Sequence, residues 1–201
     1  MSIANYFTFI RILIGPIFLF IYLYYPLLGL TSVTLPYALL SLLAISELSD
    51  ACDGFLARRY DQVTDLGKIL DPMADSISRT SIFLTLTMKP IELPIPLIFV
   101  FLYRDSMVST LRTICAFKGF ALAARSSGKI KAAIQAAAAF TCLILLIPYE
   151  SGNLSVESLH FYATGVVSLA ALYTLYSGID YFYANRHYIK LLLTLAPKTI
   201  T

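Results

Sequence analysis

Charge is what this chain has least of. Asp, Glu, Lys and Arg make up 13% of its 201 residues, against about 25% in an ordinary soluble domain. With 58% apolar residues and a mean hydropathy of +0.76, that deficit argues against a soluble protein. It points to a polytopic membrane protein of one domain. The net charge is only +3, and no nucleic-acid partner is expected. Cysteine is scarce too: Cys52, Cys115 and Cys142 form no CxxC pair and fit no zinc spacing, so they read as small packing residues. His160 and His187 fall in no catalytic pattern, and Asp180 reads as a paired helix residue. Internal repeats and low-complexity linkers are absent. The start lacks the basic n-region and small-residue cleavage site of a signal peptide and the Arg- and Ser-rich character of a transit peptide. The first apolar segment is therefore expected to remain as a membrane span.

What the chain has is apolar runs of spanning length, about 20 residues each. Six are expected, at about 6–25, 36–58, 67–88, 94–117, 129–147 and 156–183. Pro26 and Gly29 end the first, and Pro148 ends the fifth. The fold class is thus all-α, with residues 1–190 as a single six-helix transmembrane domain and 191–201 as a short cytoplasmic tail. Lys and Arg concentrate at one set of ends: Arg58, Arg59, Lys68, Lys118, Arg125, Lys129, Lys131, Arg186, Lys190 and Lys198. Only Lys89 lies at the other, beside Glu92, Glu150 and Glu157. Basic loops stay in the cytoplasm, so both termini are expected there. Tyr24, Tyr25, Tyr60, Tyr149, Tyr181 and Tyr183 lie near helix ends, where interfacial anchoring accounts for them.

Against this background four aspartates stand out. Asp50 and Asp53 are three apart, so they share a helix face, and Asp71 and Asp75 are four apart on the next helix. Gly54, Ala57 and Gly67 extend those faces with almost no side chain, leaving room for a ligand and for close helix approach. A carboxylate at membrane depth is expensive and marks a functional site by default. Any one of them could instead pair locally, Asp50 and Asp53 with Arg58 and Arg59, or Asp75 with Arg79. Four together repel one another unless a cation offsets them. A hard divalent ion, Mg2+ or Mn2+, does so through oxygen ligands and keeps sites for phosphate. Four carboxylates suffice for two ions, an arrangement suited to displacement at phosphorus. A small divalent-cation transporter would use carboxylates as well, but here they cluster at one face and trace no path across the membrane.

These residues carry a resemblance. The pattern D-x2-D-G-x2-A-R-x8-G-x3-D-x3-D of the CDP-alcohol phosphotransferases is met by Asp50, Asp53, Gly54, Ala57, Arg58, Gly67, Asp71 and Asp75 at every position. The opening Asn5-Tyr-Phe-Thr8-Phe-Ile-Arg11 is similar to the family's N-x-x-T-x-x-R, with Ala4 where the family often has proline. On its own that opening reads as an N-terminal cap and a snorkelling arginine. The resemblance implies that Asp50, Asp53, Asp71 and Asp75 hold two metal ions and that Asp75 takes the proton from the acceptor hydroxyl. It implies that Asn5, Thr8, Gly54, Ala57, Arg58, Thr64 and Gly67 form the CDP-diacylglycerol site. It also implies a homodimer in a lipid bilayer.

The acceptor is read from the basic residues. Arg104 and Arg112 lie two turns apart within an apolar segment, and Gly128-Lys129-Ile130-Lys131 precedes Gln135. Together they could form a basic pocket near the aspartates, as an acceptor bearing its own phosphate would need. Lys129 and Lys131 could equally serve only to set topology. Arg104-Asp105, Leu111-Arg112, Gly128-Lys129-Ile-Lys131 and Gln135 resemble the family branch whose acceptor is glycerol 3-phosphate, with Ala132 where that branch commonly has threonine. The resemblance implies transfer of a phosphatidyl group from CDP-diacylglycerol to glycerol 3-phosphate, giving phosphatidylglycerophosphate and CMP. The acceptors next in line are inositol phosphate and phosphatidylglycerol, the latter giving cardiolipin. From the short chain without a presequence, a bacterial cytoplasmic membrane is expected, with the site facing the cytoplasm.

Overall fold

The computed structural model describes residues 3–60, 65–118, 122 and 125–194, and side chains within 10–49, 73–118, 122 and 125–190. Among them every regular element is helical: α1 (Ile3–Tyr24), α2 (Leu35–Tyr60), α3 (Asp65–Thr85), α4 (Ile95–Phe117), α5 (Ser126–Glu150), α6 (Val156–Ala184) and α7 (Arg186–Thr194). The six expected helices are present. The seventh, α7, runs across the expected start of the tail.

Local chemistry sets the boundaries. α1 gives way to a 3-10 turn at Tyr25–Leu28 with Pro26 in its first positions. Gly29 closes that turn at φ 73°, the left-handed conformation that only glycine adopts without steric cost. Ser155 caps α6 by accepting a hydrogen bond from the Ser158 N–H, with Glu157 in the first turn. α3 stops at Thr85, three residues before the expected end, because the chain turns there and the Leu93 N–H reaches back to the Leu86 carbonyl. α5 corrects another expectation: it passes through Pro148 to Glu150. A proline in the last turn removes one helical hydrogen bond and leaves the rest. His160 of α6 donates from Nε2 to the Pro90 carbonyl at 2.9 Å, tying the α3–α4 connection to α6.

Among the described residues three stretches are long and apolar enough to cross a membrane, 10–28, 126–150 and 156–184. α3 and α4 fall short of that measure because they carry charge: Asp65, Lys68, Asp71, Asp75 and Arg79 on one, Arg104, Asp105 and Arg112 on the other.

Among the described side chains, the buried apolar residues come from alternating halves of successive helices. Phe18 lies late in α1, Leu39 and Leu43 early in α2, Ile82 and Phe83 late in α3, and Phe101 early in α4. Leu143 and Leu146 lie late in α5, and Leu159, Ala163 and Val167 early in α6. That is the signature of helices that alternate in direction, and it puts the apolar core at one end of the bundle. Cys115 and Cys142 are buried packing residues, as expected. Most of the described buried polar side chains lie toward the opposite end, Arg11, Ser46, Ser78, Asp105, Lys131, Gln135, Thr174, Ser177 and Asn185, while Thr85 lies at the core end.

α1 meets α3 closely at Gly15, where a Cβ would lie 2.8 Å from Ser81 Cβ. That is an overlap the helices can relieve only by moving apart. Gly15→Val is therefore expected to destabilise the bundle by about 1–3 kcal/mol, read as a lower thermal unfolding temperature in detergent. An unchanged unfolding temperature would mean that this contact does not set the α1–α3 distance.

Candidate active site

Asp75 is one turn C-terminal to Asp71 in α3, and Asp50 and Asp53 lie three apart in α2. Both pairs thus fall within uninterrupted helix, as their spacing requires. The side chains of Asp50, Asp53 and Asp71, and those of Asn5, Thr8, Gly54, Ala57, Arg58 and Gly67, lie outside the described residues, as does Thr64 altogether. Asp75 is half-buried and accepts a 2.6 Å hydrogen bond at Oδ1 from the guanidinium of Arg11, which is 4% exposed. An arginine that reads as snorkelling is in fact turned inward onto the site. Arg79, the local partner considered for Asp75, has its Nε 3.7 Å from Glu47 Oε1 of α2.

Beside Asp75 opens a cavity of about 280 Å³ among α3, α4, α5 and α6, near the lower limit of small-molecule sites, about 300 Å³. All four expected phosphate ligands, Arg104, Arg112, Lys129 and Lys131, line it. Arg79 and Arg125 line it as well.

These six cations are not equivalent. Lys131 Nζ contacts both oxygens of Asp105, at 2.7 and 2.9 Å. Arg104 NH1 reaches Asp105 Oδ1 at 2.9 Å, while its NH2 donates to Ser177 Oγ at 2.7 Å. Arg125 Nε lies 2.9 Å from Asp180 Oδ2, which also accepts from Ser127 Oγ at 2.6 Å. Asp180 is thus paired, as expected. Arg112 donates from Nε to the Tyr181 hydroxyl at 3.2 Å and stacks over that ring at 5.4 Å. Among the described residues neither Arg112 nor Lys129 has a carboxylate partner. Glu47 and Asp180 each offset one arginine, and Asp105 offsets one of its two cations. With Asp75 offset by Arg11, three positive charges remain in excess among the described residues: one on the Asp105 cluster, one on Arg112 and one on Lys129. Such a cavity suits a small dianion bound through charge-assisted hydrogen bonds.

Tyr181 requires a correction. Its position near a helix end suggests interfacial anchoring, yet it is 2% exposed and orients Arg112. A signal for this does exist in the sequence. Ala170, Thr174, Ser177 and Tyr181 recur at helical spacing along one stripe of α6, and all are buried. Small polar residues on one stripe of an apolar helix mark a polar interior.

Among the described residues no three metal-ligating side chains come together, because three of the four aspartate side chains lie outside them. The donor set of four carboxylates on two adjoining helices is oxygen only, which suits Mg2+ or Mn2+. The one described member, Asp75, has Oδ1 on the Arg11 guanidinium, an ion pair that a single aspartate can form without a metal.

The profile of the CDP-alcohol phosphatidyltransferase family matches residues 1–176. A CDP-diacylglycerol–glycerol-3-phosphate 3-phosphatidyltransferase of Bacillus subtilis (strain 168) is 30% identical over 195 residues, covering 94% of this chain and 97% of that protein. A protein of the same name from Rickettsia bellii is 31% identical over 188 residues, covering 93% and 97%. A CMP-forming cardiolipin synthase of Streptomyces coelicolor is 41% identical over 81 residues, 40% of this chain and 37% of that protein. The profile runs through both aspartate-bearing helices and on into α6, and two of these relatives align over nearly their whole length; this chain belongs to the CDP-alcohol phosphatidyltransferase family.

Proposed function

We propose that this chain is an integral membrane enzyme that transfers a phosphatidyl group from CDP-diacylglycerol to glycerol 3-phosphate. The products are phosphatidylglycerophosphate, an intermediate of phospholipid synthesis, and CMP. α1 to α6 each cross a bacterial cytoplasmic membrane, with both termini and the site on the cytoplasmic side, where the basic residues collect. Asp50, Asp53, Asp71 and Asp75 hold the divalent ions. Such ions, when bound, supply positive charge to the diphosphate and to the leaving phosphate.

The chain's own residues do the rest. The acceptor phosphate enters the basic cavity, where Arg112 and Lys129 meet it. This places the acceptor hydroxyl toward Asp75, which lines the same cavity. Asp75 takes the hydroxyl proton. The oxygen forms a bond to the phosphorus that bears diacylglycerol, and the bond from that phosphorus to the CMP oxygen breaks. CMP leaves with the electron pair. Asn5, Thr8, Gly54, Ala57, Arg58, Thr64 and Gly67 bind the CDP-diacylglycerol.

The observation that carries the acceptor is the cavity's excess of three positive charges beside Asp75. A phosphomonoester such as glycerol 3-phosphate brings two negative charges near neutral pH, a phosphodiester such as phosphatidylglycerol one, and free glycerol none. The charge therefore favours the monoester. The cardiolipin synthase among the relatives supports phosphatidylglycerol as the second reading. The test is CMP release by the purified protein in CDP-diacylglycerol micelles with Mg2+ or Mn2+. Glycerol 3-phosphate, inositol phosphate, phosphatidylglycerol and glycerol are offered in turn. Release is expected with glycerol 3-phosphate and lost on chelation of the metal. Faster release with phosphatidylglycerol would transfer the assignment to the second reading, and no release with any acceptor would sink both.

A further inference from the structure

We propose that Asp105 is a positioning residue. With Lys131 it forms a buried brace that fixes the Arg104 guanidinium in the cavity wall, so that Lys131 acts on the acceptor through Arg104 and not by direct contact. This rests on the phosphomonoester reading above and goes beyond it. The sequence offers four cations for the acceptor phosphate, Arg104, Arg112, Lys129 and Lys131, and the geometry divides them into two kinds.

Asp105 is 7% exposed and Lys131 6% exposed. The ammonium of Lys131 is engaged with both carboxylate oxygens, at 2.7 and 2.9 Å. An ammonium held that way is a poor first contact for a phosphate, since turning toward one would strip a buried carboxylate of its counter-charge. Lys129, two residues earlier, is exposed. Two residues turn a helix by about 200°, so the two lysines lie on nearly opposite faces and cannot have the same surroundings.

Arg104 is held from three directions. NH1 is fixed by Asp105 and NH2 by Ser177 of α6. Its stem lies flat on α6 at Gly178, where a Cβ would come within 3.1 Å of Arg104 Cγ. At the start of α5, a Cβ on Gly128 would lie 3.6 Å from NH2. The brace thus joins α4, α5 and α6 at the cavity and leaves Arg104 one orientation. A guanidinium with its direction already fixed loses little freedom when a phosphate arrives, and that is the source of its contribution to affinity.

The test replaces the brace without changing the cavity's net charge. Asp105→Leu with Lys131→Met removes one negative and one positive charge together, and such apolar exchanges of buried ion pairs are often neutral for stability. The pair variant is made in the wild type and in Arg104→Met. CMP release is measured against glycerol 3-phosphate and against CDP-diacylglycerol, and thermal unfolding is followed in parallel. The expected result is an acceptor KM about tenfold higher, as for loss of one charge-assisted hydrogen bond. The donor KM and unfolding temperature should be unchanged, and in Arg104→Met the pair variant should have almost no further effect. Asp105→Glu should restore part of the affinity. A wild-type acceptor KM in a folded pair variant would overturn the proposal, and so would equal effects in the two backgrounds, which would make Lys131 a direct ligand. If the apolar pair does not fold, Asp105→Asn with Lys131→Gln has the same expectation and the same overturning result. Absence of glycerol 3-phosphate turnover in the wild type would remove the acceptor reading and this inference with it.

Discussion

Asp75→Asn is expected to lower turnover about a thousandfold, within the range of about 10²–10⁴ for loss of a general base. Three effects act in the same direction. An amide cannot take the acceptor proton. It is a weaker ligand than a carboxylate for a hard cation. It also withdraws the negative charge that Arg11 meets at 2.6 Å inside the protein. Because Arg11 is only 4% exposed, the single variant should also unfold at a lower temperature, since it weakens a charge-assisted contact to a buried guanidinium. Lost activity in that variant alone would therefore be ambiguous. Arg11→Met combined with Asp75→Asn resolves this, because it removes both charges. A double variant that still shows a cooperative unfolding transition should remain inactive. CMP release under single-turnover conditions, with thermal unfolding in the same detergent, measures both effects. Activity above a tenth of wild type in either variant would exclude Asp75 as the base.

Arg112→Met is expected to raise the KM for glycerol 3-phosphate about a hundredfold, with the KM for CDP-diacylglycerol near its wild-type value. A bidentate guanidinium–phosphate contact makes two charge-assisted hydrogen bonds, each about 1.5–3 kcal/mol. About 2.7 kcal/mol corresponds to a hundredfold. Among the cavity's arginines Arg112 has most to offer an incoming anion. Arg79, Arg104 and Arg125 each have a carboxylate partner, whereas Arg112 is steadied by the Tyr181 hydroxyl and ring. Tyr181→Phe keeps the ring and loses the hydroxyl, so its effect should be a few-fold increase in the same constant. Initial rates across a range of acceptor at fixed CDP-diacylglycerol decide this. An acceptor KM unchanged in Arg112→Met would mean that the arginine serves packing or topology.

Much of this arrangement is legible in the sequence. The apolar runs mark the helices, because a chain in lipid must satisfy its backbone within each segment. The aspartate spacing survives folding, because a local period of three or four residues needs only that the helices be continuous. What the sequence hides is mostly long-range. The Arg11–Asp75 contact joins residues 64 apart and depends on α1 lying against α3, which no local pattern encodes. Lys129 and Lys131 look alike in the chain, and only the tertiary placement of α5 buries one beside Asp105 and leaves the other exposed. Tyr181 was open to misreading because a tyrosine near a helix end suits the membrane interface as well as it suits a polar interior. Pro148 deceived for a simpler reason: near a C-terminus, a proline's missing N–H matters little.

The helices are joined by different forces at their two ends. At the core end, around Phe18, Leu39, Phe83 and Leu146, the packing is apolar, with the exposed His160–Glu92 contact at its rim. At the site end the ties are charged, and some, such as Arg125 at 42% exposure, are open to water. Salt screens exposed charges far more than buried ones. Ionic strength therefore acts at the site end first on Arg125 and Asp180 and leaves the buried Asp105 cluster and the apolar core largely untouched, so the outermost tie at the cavity can respond to salt while the bundle holds.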